Sequence, residues 1–176
     1  AAIYTAKGRP SFNPLIAHVS DLSQATKEAY FSEIALKLAE KFWPGPLTIV
    51  APVSSKCSVC DLARAGLDSV ALRIPADLTA QKLISTLGRP IAAPSANRSG
   101  HISSVTAAHV ASDLFGKVDL ILDGGPTKFG LESTIVSFCQ PEPILLRAGM
   151  VTRETIESFL NQRIKSPADY KIIAPG

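Results

Sequence analysis

A helical stripe that runs straight into a short apolar strand is the feature that most constrains this chain. Ala80, Leu83, Ile84 and Leu87 recur at three- and four-residue spacing, and Gly88 stops the helix. The run Ile91 to Ala93 follows directly and breaks at Pro94, which commits the middle of the chain to an α-to-β alternation. Comparable patterns lie on both sides. Between Glu33 and Trp43, Ile34, Leu38 and Phe42 share one helical face that Phe31 and Ala35 widen, and Pro44-Gly45-Pro46 ends it. Leu47 to Val53 and Ser69 to Ile74 are apolar, β-branched runs and read as strands. Thr106 to Phe115 reads as a helix, Val118 to Leu122 as a buried strand, and Asp123-Gly124-Gly125-Pro126 as a tight turn. Ser133 to Phe138 and Ile144 to Arg147 are placed to pair across Gln140-Pro141-Glu142, and Thr152 opens a last helix whose acids Glu154 and Glu157 lie toward its N-terminal end. Strands and helices alternate without strict regularity. The expected fold is therefore α/β, a mixed sheet with helices packed against it.

At 176 residues and 46% hydrophobic content the chain is long enough for one domain with a sizeable core. No apolar run approaches the roughly 18 residues needed to cross a bilayer, and no basic start leads into an apolar segment, so a cytoplasmic protein with no membrane partner is the expectation. Cys57, Cys60 and Cys139 are an odd number and fit reduced thiols better than a disulfide framework. The Cys57-Ser58-Val59-Cys60 spacing is half of a zinc site or a redox pair, yet no second such pair or close His pair completes it, and His101 and His109 are eight apart. A net charge of +3 is compatible with nucleotide or RNA binding, and an aromatic content of 6% argues against a base-stacking platform.

Two segments carry the polar chemistry. In the stretch from Lys7 to His18, Lys7, Arg9, Asn13 and His18 stand around Pro10 and Pro14, which disfavour a regular helix and hold their neighbours extended. Lys7 and Arg9 would point to one side of an extended backbone, and a guanidinium grips phosphate or carboxylate with a planar fork. The same letters also fit a solvated loop with two surface cations and a turn-forming Asn. In the second segment, from Gly88 to His101, the strand before Pro94 opens into Ser95, Asn97 and Arg98, where strand ends of an open α/β sheet receive ligands; a plain Ser or Asx turn explains the same residues.

Lys7-x-Arg9 followed by Ser95-x-Asn97 resembles the paired motif of the YrdC/Sua5 family, whose members are threonylcarbamoyl-AMP synthases. The resemblance continues through Phe42-Trp43-Pro44-Gly45-Pro46-Leu47-Thr48, Val70-Ala71-Leu72-Arg73-Ile74-Pro75, Asp123-Gly124-Gly125-Pro126, Leu131-Glu132-Ser133-Thr134-Ile135-Val136 and Leu146-Arg147-Ala148-Gly149, over nearly the whole chain. It implies a twisted mixed sheet with a concave ligand-binding face, residues 1–165 as the catalytic domain, and residues 166–176 as a tail or the start of an interdomain linker toward a possible C-terminal second domain. Family members carry an upstream strand with a Pro-Thr-Glu-Thr-x-Tyr-Gly-Leu motif that helps form the threonine site. Since this sequence begins after such a motif, a fragment of a longer protein is expected.

The implied reaction joins L-threonine, bicarbonate and ATP into L-threonylcarbamoyl-AMP with release of pyrophosphate, for threonylcarbamoylation of an adenosine in tRNA by a downstream transferase complex. Such chemistry asks for positioning and charge neutralisation rather than a nucleophilic side chain. By motif position, Lys7, Arg9, Asn13, Ser69, Asn97 and Arg147 would contact ATP, and His18, Arg73, Ser95 and Ser133 would contact threonine. Ser95 and Asn97 would form a floor between the substrates. Arg73 interrupts an apolar strand, where a cation is costly unless paired, and is expected to meet a carboxylate. His18 beside Leu15-Ile16-Ala17 also fits a satisfied core histidine, Arg147 a surface cation on an edge strand, and Ser133 a residue that merely opens a strand. Relatives often carry Ser-Pro-Thr or Ser-Pro-Ser where this chain has Ser103-Ser104-Val105-Thr106, which places an apolar side chain where a hydroxyl is common. Magnesium is expected with ATP, but no acidic pair stands out as its ligands. A double-stranded RNA or tRNA-binding module without its own catalysis is the competing reading.

Overall fold

The structure is a computed structural model of the chain that describes residues 2–128 and 130–166. Its elements are α1 (Ala2–Lys7), β1 (Ile16–His18), α2 (Leu22–Glu28), α3 (Glu33–Phe42), β2 (Leu47–Pro52), α4 (Asp61–Arg64), β3 (Ser69–Arg73), α5 (Leu78–Leu87), β4 (Ile91–Ala92), α6 (Ala107–Leu114), β5 (Thr134–Ser137), β6 (Ile144–Arg147) and α7 (Arg153–Leu160). The expected tail lies outside the described residues except for Ser166.

Local chemistry sets most helix ends. The side chains of Asp21, Ser32, Asp77, Thr106 and Thr152 each accept a hydrogen bond from a first-turn backbone N–H, of Gln24, Ala35, Ala80, His109 and Thr155 respectively, which satisfies donors no intrahelical carbonyl can reach. Gly88 closes α5 in the left-handed conformation at φ 69°, which glycine adopts at least cost.

The sheet has the order β4-β1-β3-β2-β5-β6 among the described residues. Strand β1 runs parallel to β3 and β2 parallel to β5; the remaining neighbours are antiparallel, so the expected mixed sheet is present. Its two faces differ. On one, Ala17, Val19, Leu47, Ile49, Ala51, Leu72 and Val136 meet Ala25, Ala35, Leu38 and Ala39 from the helices and Ile156 from α7. Leu38, Leu47, Ile49 and Leu72 are fully buried there, each stabilising the fold by roughly 1.5–3 kcal/mol. The other face holds only Val50, Ala71 and Ile135, flanked by Ile16, Cys139 and Leu146. Period-two alternation puts Ile16, His18, Ala71, Arg73, Ser133 and Ile135 on this thinly covered face, and a register shift between β5 and β6 pairs Arg147 with Ile135 although Leu145 packs on the opposite face with Val136.

Three expectations need correction. Val118 to Leu122 forms no strand: Val118, Leu120 and Leu122 are exposed, and no strand runs beside them among the described residues, so nothing completes their backbone ladder or covers their side chains. Of the apolar stripe on α5 only Ile84 is buried, while Leu83 and Leu87 are open to solvent. Lys7 is not in an extended segment but ends α1, and Gly8 at φ 62° turns the chain toward Arg9. Strand β1 and helices α2 and α4 were not anticipated, being short elements whose apolar contacts come from distant parts of the chain.

Candidate functional site

A cavity of about 210 Å³ opens on the thinly covered face. Its wall includes Arg9, Ile16 and His18 from the first polar segment, Arg73 from β3, Ala93, Pro94 and Ser95 after β4, Ser103 to Val105, and Gly130 to Ser133 with Arg147. Strand direction explains the convergence. The C-terminal ends of the parallel strands β1 and β3 coincide at His18 and Arg73, β2 begins beside that end, Thr134 donates its N–H to the Pro46 carbonyl at 3.0 Å, and β6 returns to put Arg147 beside β5.

Three guanidiniums line this space. Arg9 folds back on its own turn, with Nε donating to the Asn13 carbonyl at 3.3 Å and Nη2 to that of Pro14 at 2.9 Å. Arg73 donates Nε to the Gly45 carbonyl at 2.9 Å, and Gly45 in turn donates its N–H to the Ile74 carbonyl at 2.9 Å. No carboxylate pairs with Arg73 among the described residues. Burial, and then the neighbouring Arg147 charge, push its pKa down from the usual arginine value, yet a guanidinium stays charged throughout the physiological range. Among the described residues no acid compensates its charge, and Arg73 lines the cavity. Arg147 is held more firmly: Nε donates to the Ser133 carbonyl at 3.0 Å, Nη2 to Ser133 Oγ at 3.0 Å, and Nη1 to Glu132 Oε2 at 2.5 Å. Ser133 Oγ is also 2.8 Å from Thr48 Oγ1, so the serine hydroxyl is fixed from both sides rather than merely opening a strand.

His18 is not a satisfied core histidine. Its Nδ1 is buried without a hydrogen-bond partner, and burial, reinforced by the Arg73 charge, lowers its pKa to about 4. The ring is thus neutral at physiological pH, a polar group beside the Arg73 cation with one nitrogen unengaged.

Lys7 and Asn97 lie beneath the wall rather than in it. Lys7 is buried and donates Nζ to the Ser95 carbonyl at 2.6 Å, to the Asn97 carbonyl, and to Asn97 Oδ1 at 3.3 Å. Burial first, and the Arg9 charge next, lower its pKa. Asn97 Nδ2 donates to the His101 carbonyl at 2.6 Å, and Ser99 N–H to the Lys7 carbonyl at 2.9 Å. The ammonium therefore clamps the turn that carries Ser95 into the cavity. Ser69 does not join this group: it starts β3 opposite Pro52, four residues or about 13 Å along the strand from Arg73.

Sequence reasoning missed Asp113, whose carboxylate accepts from Arg98 N–H at 2.5 Å, from Arg98 Nε at 3.2 Å, and lies 3.0 Å from His101 Nδ1, bracing the far side of the same turn. The sequence blocks contain Gly45 and Gly149 without showing what packs against them. A Cβ on Gly149 would come within 2.5 Å of the Glu132 carbonyl and the Thr134 nitrogen, so only glycine lets the chain after β6 lie against the strand that presents Ser133. The glycines of the two blocks gave a signal, but not their neighbours. The cysteines do not line the cavity: all three are free, burial raises the Cys57 thiol pKa, and no cluster of three or more metal-binding side chains occurs among the described residues.

The family model for Sua5/YciO/YrdC, described as "Telomere recombination", matches residues 1–149. A threonylcarbamoyl-AMP synthase of Pyrococcus abyssi is 47% identical over 169 residues, covering 96% of this chain and 49% of that protein. One of Bacillus subtilis is 45% identical over 179 residues, covering 99% and 51%. The crystal structure of P. abyssi Sua5 complexed with L-threonine superposes with a TM-score of 0.91 at 46% identity, over 99% of this chain and 52% of that one. The chain thus spans about half the length of the curated relatives it matches.

Proposed function

The chain belongs to the Sua5/YciO/YrdC family, and on that premise we propose that the protein of which it is part synthesises L-threonylcarbamoyl-AMP from L-threonine, bicarbonate and ATP. The observation that carries this reading is the Arg73 guanidinium, which lines the cavity without a carboxylate partner among the described residues, beside a neutral His18. A zwitterionic amino acid supplies the missing carboxylate. Nature of the ligand aside, Arg73 is poised for an anion because its desolvation is repaid only when one arrives.

In this reading the threonine nitrogen joins bicarbonate with loss of water, a carbamate oxygen attacks the α-phosphorus of ATP, and pyrophosphate leaves. Arg73, His18, Ser95 and Ser133 hold threonine, while Arg9 and Arg147 neutralise the phosphates. Lys7 and Asn97 act beneath them by shaping the Ser95 turn. Magnesium enters with ATP as its counter-ion. Among the described residues no group of three or more metal-binding side chains occurs, and the cavity wall holds one acid, Glu132, already engaged with Arg147 and Ser103. The product serves threonylcarbamoylation of tRNA by a separate transferase in the cytoplasm. None of the described helices is long and apolar enough to cross a membrane.

The test is pyrophosphate release by the full-length protein with MgATP, omitting threonine or bicarbonate in turn. Release that requires both supports the synthase. No release under any condition, with salt-sensitive tRNA binding retained, would favour the RNA-binding module instead.

A further inference from the structure

Glu132 is the one acid among the described residues of the cavity wall, where Arg9, Arg73 and Arg147 make the charge strongly positive. Its two oxygens reach two separate parts of the chain. Oε2 accepts from Arg147 Nη1 at 2.5 Å, at the end of β6, and Oε1 accepts from Ser103 Oγ at 3.3 Å, in the segment that also lends Ser104 and Val105 to the wall.

The backbone of Glu132 is itself held. Met150 donates its N–H to the Glu132 carbonyl at 3.4 Å, and Gly149 passes too close for any side chain. The next residue, Ser133, takes the Nε and Nη2 donors of the same guanidinium. Three of the five N–H groups of Arg147 are thereby committed to two consecutive residues on different atoms, which fixes the plane of the fork and leaves one N–H on each terminal nitrogen for a ligand. Arg73, by contrast, is held through Nε alone.

We propose that Glu132 is a positioning residue for anion binding: it orients the Arg147 fork and ties the Ser103 to Val105 wall to it. The inference rests on the reading of Arg147 as a nucleotide contact. Its sign separates it from simple charge. Removing an acid beside an arginine should tighten the binding of a polyanion if charge alone matters, whereas loss of a positioning contact weakens it.

The experiment uses the full-length wild type, Glu132→Ala and Glu132→Gln, with thermal melts to establish folding. Inorganic pyrophosphate binding is measured by calorimetry, and the KM values for ATP and threonine by pyrophosphate release. For Glu132→Ala the expected results are weaker pyrophosphate binding and an ATP KM raised about tenfold, the scale of losing a charged hydrogen bond. The threonine KM should stay within about twofold, and Glu132→Gln, which keeps an acceptor for one partner only, should fall between. Unchanged or tighter pyrophosphate binding, an ATP KM that does not rise, or equal rises in both KM values would overturn the proposal. If the wild type binds pyrophosphate but never releases it from ATP, the synthase reading fails while the calorimetric comparison still decides the role of Glu132.

Discussion

Lowering the pH should unlock His18. Its ring is neutral in the folded protein, with a pKa of about 4 against an ordinary value of 6.5, because it is buried and beside Arg73. In the unfolded chain the same ring protonates as pH falls through 6.5, so between those two values the unfolded state binds more protons. The contribution to stability is fully present above 6.5 and is lost as pH falls toward 4. The gap of about 2.5 pH units corresponds to about 3.4 kcal/mol at most, and about 2.5 kcal/mol of it should be gone at about pH 4.5. Carboxylates titrate over the same interval, so the quantity to measure is a difference. Urea unfolding of the wild type and of His18→Asn at about pH 7.5 and pH 4.5 isolates it, since every other group contributes equally to both proteins. The wild type should lose about 2.5 kcal/mol more than the variant across that interval. Parallel losses, agreeing within the roughly 10–15% uncertainty of extrapolation, would refute the reasoning and mean that His18 is solvated or already paired.

Four further outcomes follow from the site. Gly149→Ala should lower stability by about 2–3 kcal/mol, read from the urea midpoint, because its methyl group meets backbone atoms of Glu132 and Thr134 that cannot move aside independently. Lys7→Met should cost about 3 kcal/mol, as three oxygens of Ser95 and Asn97 lose a buried ammonium, and should raise the KM for both substrates in the full-length protein by releasing the turn between them. Arg73→Ala should leave the unfolding midpoint nearly unchanged, its charge being uncompensated in the ligand-free state, but should abolish saturation by threonine in the pyrophosphate assay. Cys57→Ser should leave turnover unchanged, because the thiol lies outside the cavity wall and belongs to no metal cluster among the described residues. A drop in turnover there would reopen the Cys57-x-x-Cys60 pair as a functional element.

The strands that carry the site were legible because their side chains repeat a pattern the backbone imposes. Leu47 to Pro52, Ser69 to Arg73 and Ile144 to Arg147 alternate or run apolar within one or two residues of where they read as strands, and Gly88 and Thr152 mark helix ends by conformations that need no distant partner. Val118 to Leu122 failed by the same rule. It has the composition of a strand, but a strand exists only when a neighbour takes up its hydrogen bonds, and none stands beside it among the described residues.

By itself, the sequence determined the α-to-β order, the caps, and which residue types were available for an anion: three arginines, a lysine, a histidine and the Ser95 and Asn97 turn. Only the tertiary structure decided which of them face the cavity. Register placed His18 beside Arg73 and Arg147 beside Ser133, burial turned Lys7 inward onto the carbonyls of Ser95 and Asn97, and strand length carried Ser69 away from the rest. Residue spacing along the chain records local geometry within a few residues. Which charge meets a partner and which waits for a ligand is settled between segments tens of residues apart, where burial sets the cost of leaving a group unpaired.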